Sequence, residues 1–226
     1  MEQQKDDFIG IASHELKTPV TSIKAYAEVL HETFLGSGDT ASATLLEKLD
    51  VQVDRLIELI KALLDTSKIA EGKLILKPEQ FKLNTLVKER TEDLQRLSNR
   101  HQLTMHSKEE ITITADRERI GQALTNLISN AIKYSPKGGN IDIALNQLNN
   151  EVQVSIKDEG IGISEGARSK VFDRFFREES VQKQNFSGMG LGLYVTAKII
   201  FEHGGKIWVE SIQGEGSIFY FTLPGE

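Results

Sequence analysis

The sequence predicts an α+β chain of two domains, a helical hairpin followed by an α/β sandwich. Three observations predict this fold class. Apolar residues alternate at spacings of three and four through two long stretches in the first third of the chain. The segment AEGKLILKP then places a helix-ending Gly before a Pro. After it, short stretches of alternating polarity are interleaved with two further helical patterns. We therefore predict domains at 1–71 and 78–226, with a boundary near Gly72 to Lys77.

The first domain has an apolar seam on each of two predicted helices. The first seam comprises Ile9, Ala12, Leu16, Pro19, Ile23, Tyr26, Leu30 and Thr33. The second comprises Leu46, Leu49, Val53, Leu56, Ile60 and Leu63. GSGDTAS between them has the residues of a turn and a helix start. Two antiparallel helices bury only a thin core, so we expect a homodimer in which two hairpins form a four-helix bundle.

The second domain alternates strand and helix patterns. Strands are predicted at 111–114, 141–145, 152–156, 206–210 and 217–223. Helices are predicted at about 117–134 and 191–203, and hairpin turns at Asn149 to Asn150 and Gly214 to Gly216. The order of these elements favours helices packed on one face of a sheet.

Composition excludes several classes of function. The formal net charge of −6 and the pI near 5.5 give no basis for binding nucleic acid. With no cysteine, the chain has no disulfide or thiolate nucleophile, which fits a reducing compartment. No apolar run approaches the roughly 20 residues of a membrane span. We expect a cytoplasmic fragment, without direct membrane contact, whose parent protein can carry sensor or membrane segments upstream.

His14 is the first candidate for chemistry. With Ile9 at heptad position a, His14 falls at f and should face water, where a histidine is usually an ordinary surface residue. Glu15 follows directly and could polarise the imidazole. Pro19 lies within the helix at a cost of about 3 kcal/mol, and it can bend the helix near His14. Both readings of His14 stay open on these residues alone.

One face of the predicted helix at 117–134 is rich in amide side chains. This face carries Gln122, Asn126, Asn130 and Lys133. Such side chains can simply be solvated. Alternatively, their oxygens can hold a hydrated Mg²⁺, with Lys133 neutralising a phosphate beside it.

Two glycine-rich segments flank the remaining candidates. Asp158, Gly160 and Gly162 follow a strand, where backbone can approach a flat ligand and the carboxylate can accept from an amine. Three more glycines then open a helix whose free amides suit a polyphosphate: Gly188, Gly190 and Gly192. Ordinary turns and caps explain such glycines equally well. No GxxxxGK[ST] occurs, so a P-loop is excluded, and a dinucleotide fold is disfavoured.

VFDRFFREES lies between the glycine segments, and the polar VQKQNFS after it predicts a mobile lid. Its aromatic residues favour packing, while Arg174 and Arg177 are possible phosphate ligands. Five residues are interpreted as structural or surface positions: His31, His101, His106, His203 and Trp208.

Five motifs in order, SHELKTP, NLISNAIKYS, DEGIGIS, VFDRFFR and GMGLGL, resemble the H, N, G1, F and G2 boxes of bacterial sensor histidine kinases. The resemblance covers essentially the whole chain. It implies a dimerisation and histidine-phosphotransfer hairpin, followed by a Bergerat-type ATP-binding domain shared with Hsp90, gyrase B and MutL. It also implies ATP and Mg²⁺ as cofactors and the receiver domain of a response regulator as partner.

The resemblance assigns roles to individual residues. His14 is the implied phosphoacceptor, Glu15 its base, and Thr18 the residue that positions a water for dephosphorylating the partner. Arg177 is the implied catalytic residue that approaches the γ-phosphate. The implied ATP ligands are Asn126, Asn130 (for Mg²⁺), Lys133, Tyr134, Asp158, Gly160, Gly162, Gly188, Met189, Gly190, Leu191 and Gly192. Met189 stands where smaller residues such as Thr are common in this family.

Two other functions remain open. The chain could bind ATP yet serve mainly as a phosphatase or a scaffold for its partner. It could instead be an ATPase or chaperone that shares only the ATP-binding fold. The HELKTP segment in a helical hairpin argues against the second alternative.

Overall fold

The computed structural model describes residues 2–70, 74–178 and 189–225. In the first helix, side chains are described from Leu16 onward, apart from Lys17 and Thr18. Contacts divide the chain into two compact units, Met1–Leu74 and Ile75–Glu226.

The first unit is a hairpin of two long helices, α1 (Glu2–Ser37) and α2 (Thr40–Ala70). Gly38 closes α1 with a φ of +80°, a conformation that glycine adopts without strain. Asp39 starts α2 because its carboxylate accepts from the amide of Ser42 over 3.1 Å and from the Ser42 hydroxyl over 2.7 Å. The predicted helical hairpin is therefore confirmed.

The core of the hairpin uses only part of the predicted seams. Val20, Val53 and Ile60 form a buried cluster. By contrast, several seam residues are 43 to 69% exposed: Leu16, Ile23, Tyr26, Leu30, Leu49 and Leu56. The first helix thus turns Val20 towards its partner helix and leaves an apolar strip uncovered on the single chain. Lys24 and Asp54 pair across the two helices.

The second unit contains seven strands and four helices within the described residues. The strands are β1 (Glu79–Lys82), β2 (His101–Ser107), β3 (Thr112–Ala115), β4 (Gly139–Leu148), β5 (Glu151–Asp158), β6 (Ile207–Ile212) and β7 (Gly216–Pro224). The helices are α3 (Leu83–Arg96), α4 (Arg117–Lys133), α5 (Glu165–Arg168) and α6 (Gly192–Glu202).

Five strands form one mixed sheet in the order β2-β4-β5-β7-β6. β2 runs parallel to β4, and the other neighbours are antiparallel. β1 and β3 form a separate antiparallel pair. The register sets Asp158, the last residue of β5, opposite Ile141 on one side and Ser217 on the other.

Alternation along the strands sends one face of the sheet into the core. The buried strand residues are Ile141, Ile143, Leu145, Val152, Val154, Ile156, Phe219, Phe221 and Leu223. The buried helix residues are Ile120, Ala123, Leu124, Leu127, Ile128, Ala131, Val195, Ile199 and Ile200. These two layers confirm the α/β sandwich.

All five predicted strands and both predicted helices of this unit are present, with ends shifted by a few residues. Asn149, at a φ of 51°, and Gly214 lie in the predicted hairpin turns. Four elements, β1, β2, α3 and α5, were not predicted from the sequence. His101 and His203 form hydrogen bonds with backbone and hydroxyl groups, and Trp208 stacks on Tyr220.

None of the helices in the described ranges is long and apolar enough to cross a bilayer.

Candidate nucleotide site

Asp158 ends β5 as a nearly buried carboxylate, 4% exposed. Its Oδ1 accepts from the amide of Gly160 over 2.9 Å. Burial raises the pKa of Asp158 to about 6, because water no longer solvates the charge, and hydrogen bonds from the Gly160 and Ser217 amides oppose this shift. A buried acceptor at the end of a strand can select a ligand that donates a hydrogen bond.

The loop after Asp158 requires glycine at positions 160 and 162, because a side chain at either position would clash with neighbouring backbone. A Cβ on Gly160 would stand 2.3 Å from the carbonyl oxygen of Tyr134. A Cβ on Gly162, which has a φ of +64°, would stand 2.1 Å from that of Ile212. The amide of Ile161 donates to the Tyr134 carbonyl over 3.0 Å. This bond ties the glycine loop to the chain that leaves α4.

α4 begins at Asp116, whose carboxylate caps the helix. Its two oxygens accept from the amides of Arg119, over 3.0 Å, and Lys77, over 2.9 Å. Burial raises the pKa of Asp116, but these amide hydrogen bonds outweigh it and hold the pKa below the usual value. The amide of Asp116 itself donates to His203 Nε2 over 3.0 Å. Asp116 therefore connects Lys77, near the start of the second unit, and the first turn of α4 to His203 at the end of α6.

Asn126 joins the polar face of α4 to the first turns of α6. Its amide nitrogen donates to the hydroxyl of Thr196 over 2.8 Å. A Cβ on Gly192 would stand 2.3 Å from Asn126 Oδ1, so glycine is what lets the start of α6 approach α4 so closely. Leu191, just before α6, is 2% exposed and anchors this approach in the core.

The other polar residues of α4 lie at its carboxyl end. The side chain of Asn130 has no hydrogen-bond partner among the described residues. Lys133 Nζ donates to the Tyr134 hydroxyl over 2.9 Å and lies 4.5 Å from the centre of the Tyr134 ring. The amide of Asn130 and the ammonium group of Lys133 therefore lie a turn apart on one helix face.

The segment before the second glycine motif packs against Gly190. The amide of Phe175, at a φ of 65°, donates to the Gly190 carbonyl over 3.0 Å. Phe172 meets Phe219 edge to face, with ring centres 6.3 Å apart. Phe172 therefore packs as expected, whereas Phe175 is 49% exposed with Arg174 over its ring. Arg177 is partly buried, and Met189 is 37% exposed.

The predicted site residues fall into three groups according to how far the structure describes them. Asn126, Tyr134, Asp158, Gly160, Gly190 and Gly192 lie in the connected region just described. Gly188 and the predicted lid residues 179–187 lie outside the described residues. The backbones of His14, Glu15 and Thr18 belong to α1, but their side chains also lie outside the described set.

Two buried polar residues of this region, Thr196 and Ser135, were not predicted from the sequence. Thr196 is 1% exposed, and its hydroxyl accepts the hydrogen bond from the Asn126 amide. In the sequence, only the presence of a hydroxyl among the apolar residues of a helical pattern could have pointed to this role. Ser135 is 2% exposed and lies beside Asp158 and Gly160, but it resembled an ordinary residue before a turn. Within the described parts of the chain, no cluster of three or more His, Asp or Glu side chains is placed to hold a metal ion.

Comparison with known proteins matches both units to family models. Residues 4–72 match the His Kinase A (phospho-acceptor) domain. Residues 115–226 match the histidine kinase-, DNA gyrase B- and HSP90-like ATPase.

Individual relatives agree with these matches. The sensor histidine kinase WalK of Bacillus subtilis is 33% identical over 99% of this chain, which spans 37% of that relative. The catalytic domain of the histidine kinase ThkA is 34% identical, covers 66% of this chain and 96% of its own, and gives a TM-score of 0.57. Full-length ShkA, solved in complex with AMPPNP, shares the fold at a TM-score of 0.79 and 23% identity, over 97% of this chain and 46% of its own. The chain therefore belongs to the sensor histidine kinases of two-component systems, a family that joins a phospho-acceptor domain to an ATPase domain of this kind.

Proposed function

We propose that the second unit binds Mg-ATP and that its γ-phosphoryl group passes first to His14 and then to an aspartate of a response-regulator receiver domain. The contact of Asn126 with Thr196 and Gly192 carries this proposal. It brings the amide face of α4 to the start of α6, where helix amides favour anions. The bond between Ile161 and Tyr134 joins the Asp158 loop to the same helix.

Asp158 is the proposed reader of the adenine base. Its carboxylate is an acceptor at 4% exposure, so a base whose exocyclic amine donates to it replaces the lost solvation. The glycine loop lies beside it without side chains at Gly160 and Gly162, which leaves backbone surface for a flat ring. Guanine carries a carbonyl oxygen in place of the amine, so we expect ATP to bind more tightly than GTP.

The phosphates are assigned to the other end of the site. Asn130 offers an amide oxygen without a protein partner in the described residues, which suits a hydrated Mg²⁺ as a hard cation. When bound, the ion would neutralise charge that develops on the phosphoryl oxygens. Lys133 and Arg177 supply further positive charge, and Tyr134 is proposed to contact the ribose or a phosphate. The segment Gly188 to Gly192 is proposed to cradle the phosphates with backbone amides.

His14 is the proposed phosphoacceptor. A ring nitrogen of His14 attacks the γ-phosphorus, the bond to the bridging oxygen of the β-phosphate breaks, and ADP leaves. Glu15 takes the proton that the imidazole loses as its other nitrogen becomes neutral. The match of residues 4–72 to a phospho-acceptor domain supports this assignment and disfavours an ATPase or chaperone without an acceptor.

The first unit supports the proposals of a homodimer and of a response-regulator partner. A phospho-acceptor domain implies dimerisation and a response-regulator partner in this family. The exposed apolar strip of Ile23, Tyr26 and Leu30 supports a homodimer of this particular chain. We further propose that Thr18 helps the chain dephosphorylate its regulator, that the chain works in the cytoplasm, and that domain limits lie at 1–71 and 78–226.

Incubation with γ-labelled ATP tests the proposal. The chain should incorporate label only when Mg²⁺ is present, and EDTA should prevent it. Asp158→Ala and Asn130→Ala should each abolish labelling, the first through loss of ATP binding and the second through loss of Mg²⁺. Ser155→Ala on the outer face of β5 is the matched control and should label normally. Release of free phosphate without labelled protein would favour the plain ATPase instead.

A further inference from the structure

Ser135 is a buried serine beside the candidate nucleotide site. The residue is 2% exposed, and its Oγ has no hydrogen-bond partner among the described residues. Buried polar groups are nearly always paired, because an unmade hydrogen bond costs the full desolvation of the group. A hydroxyl left in this state beside a candidate ligand site is available to a ligand.

The Ser135 hydroxyl and the Asp158 carboxylate flank the same point. A Cβ on Gly160 would stand 2.9 Å from Ser135 Oγ and 2.7 Å from Asp158 Oδ1. The carbonyl oxygen of Tyr134 is 2.3 Å from that point and accepts from Ile161. Of these three oxygens, only Ser135 Oγ carries a hydrogen that it can donate at neutral pH.

The backbone around Ser135 holds this hydroxyl in place. The Ser135 carbonyl accepts from the Gly138 amide over 2.9 Å and lies 2.8 Å from His101 Nε2. Since a carbonyl only accepts, His101 Nε2 donates to it, and His101 Nδ1 lies 2.6 Å from the Ser98 hydroxyl. The series Ser98, His101 and Ser135 therefore anchors the loop on the first residue of β2.

We infer that Ser135 is a specificity-determining residue that donates to N1 of the purine whose exocyclic amine donates to Asp158. This inference rests on the proposed ATP site. Adenine presents an amine donor and the N1 acceptor side by side, and Asp158 and Ser135 offer the matching acceptor and donor. Guanine presents a carbonyl oxygen and an N1 hydrogen there. A site built to pair two polar groups rejects a base that leaves them unpaired.

A nucleotide analogue tests this contact on the full chain. In 1-deaza-ATP a CH group replaces N1, so the wild-type chain should bind it about tenfold more weakly than ATP in a calorimetric titration. Ser135→Ala should bind ATP about tenfold more weakly, and it should lose nothing further with 1-deaza-ATP. Ser155→Ala removes a hydroxyl from the outer face of the strand that ends at Asp158, and it should keep the wild-type preference.

The outcomes separate this inference from the proposed function. Equal affinity of the wild-type chain for ATP and 1-deaza-ATP overturns the role of Ser135 while leaving the ATP site intact. A tenfold preference that survives in Ser135→Ala overturns it as well. If the wild-type chain binds neither nucleotide, the ATP site and this inference both fail. Should Ser135→Ala melt far below the wild type, Ser135→Thr, which keeps the hydroxyl, must retain the preference or the inference is wrong.

Discussion

The side-chain amide of Asn126 donates a hydrogen bond to the hydroxyl of Thr196 over 2.8 Å. The bond joins α4, which carries the candidate Mg²⁺ ligand Asn130, to α6, whose first residue Gly192 lies against Asn126. Because Thr196 is 1% exposed, water cannot replace it as a partner. The two helices that frame the proposed phosphate site are therefore fixed to one another by this pair.

Thr196→Val should weaken ATP binding. Valine keeps the shape of threonine but leaves the Asn126 amide unsatisfied, which costs about 1 to 3 kcal/mol. We expect ATP affinity to fall about tenfold in calorimetric titration, together with a lower melting temperature. Thr196→Ser keeps the hydroxyl and should behave more like the wild type. Unchanged affinity in Thr196→Val would show that the pair does not shape the site.

The buried carboxylate of Asp158 should make stability depend on pH. Folding raises the pKa of Asp158 from 3.8 to about 6, so the folded chain binds this proton more tightly than the unfolded chain. Its contribution therefore favours folding at pH below about 4, and stability is lost as pH rises to about 6. The full loss corresponds to about 3 kcal/mol.

Asp158→Asn removes this titration. Urea unfolding between pH 4 and pH 7 should show a decline for the wild-type chain that is smaller in Asp158→Asn by about that amount. Parallel pH profiles for the two proteins would contradict the assigned environment of Asp158. The substitution should also weaken ATP binding, because an amide presents a donor as well as an acceptor to the base.

The exposed strip on the hairpin should mediate dimerisation. Tyr26 is 69% exposed between Ile23 and Leu30, so burial against a second copy would remove considerable apolar surface from water. Light scattering should give a dimer at micromolar concentration, and Tyr26→Glu should dissociate it. Leu97→Glu is the matched control because Leu97 is 82% exposed but lies in the second unit. A monomeric wild-type chain would rule out the four-helix bundle.

The periodic spacing of apolar residues in the sequence predicted most of the fold. Long three-four patterns located α1, α2, α4 and α6, and alternation located five strands. β2 was missed because HQLTMHS is mostly polar and lies on a sheet edge, where only part of each face is buried. α3 was missed because its apolar residues, among them Leu86 and Val87, are too few among charged neighbours to form a long periodic run.

The candidate site could be predicted in part. Motif spacing pointed to Asn126, Asp158 and the glycines, and the fold places several of them in one connected region. Thr196 and Ser135 could not be predicted, because their significance depends on pairs formed across the fold and on burial. The hairpin core shows the same limit: Val20 packs inside, while Ile23 and Leu30 of the predicted seam remain exposed.

Thr18 should affect dephosphorylation more than phosphorylation. It lies four residues after His14 on α1, so the two share a helix face. Thr18→Ala should keep autophosphorylation and slow the loss of phosphate from a cognate regulator. Thr18→Ser, which retains a hydroxyl, serves as the control. A regulator that loses phosphate equally fast with all three proteins would exclude this role.

The chemical stability of the phosphorylated chain tests the central claim most directly. A phosphate on a His14 nitrogen is a phosphoramidate, so label from γ-labelled ATP should be lost in acid and persist in base. His14→Gln should carry no label yet bind ATP as tightly as the wild type, and Glu15→Gln should label about 10² to 10⁴ times more slowly. Acid-stable label that survives in His14→Gln would contradict the account, because the phosphoryl group would then reside on another residue.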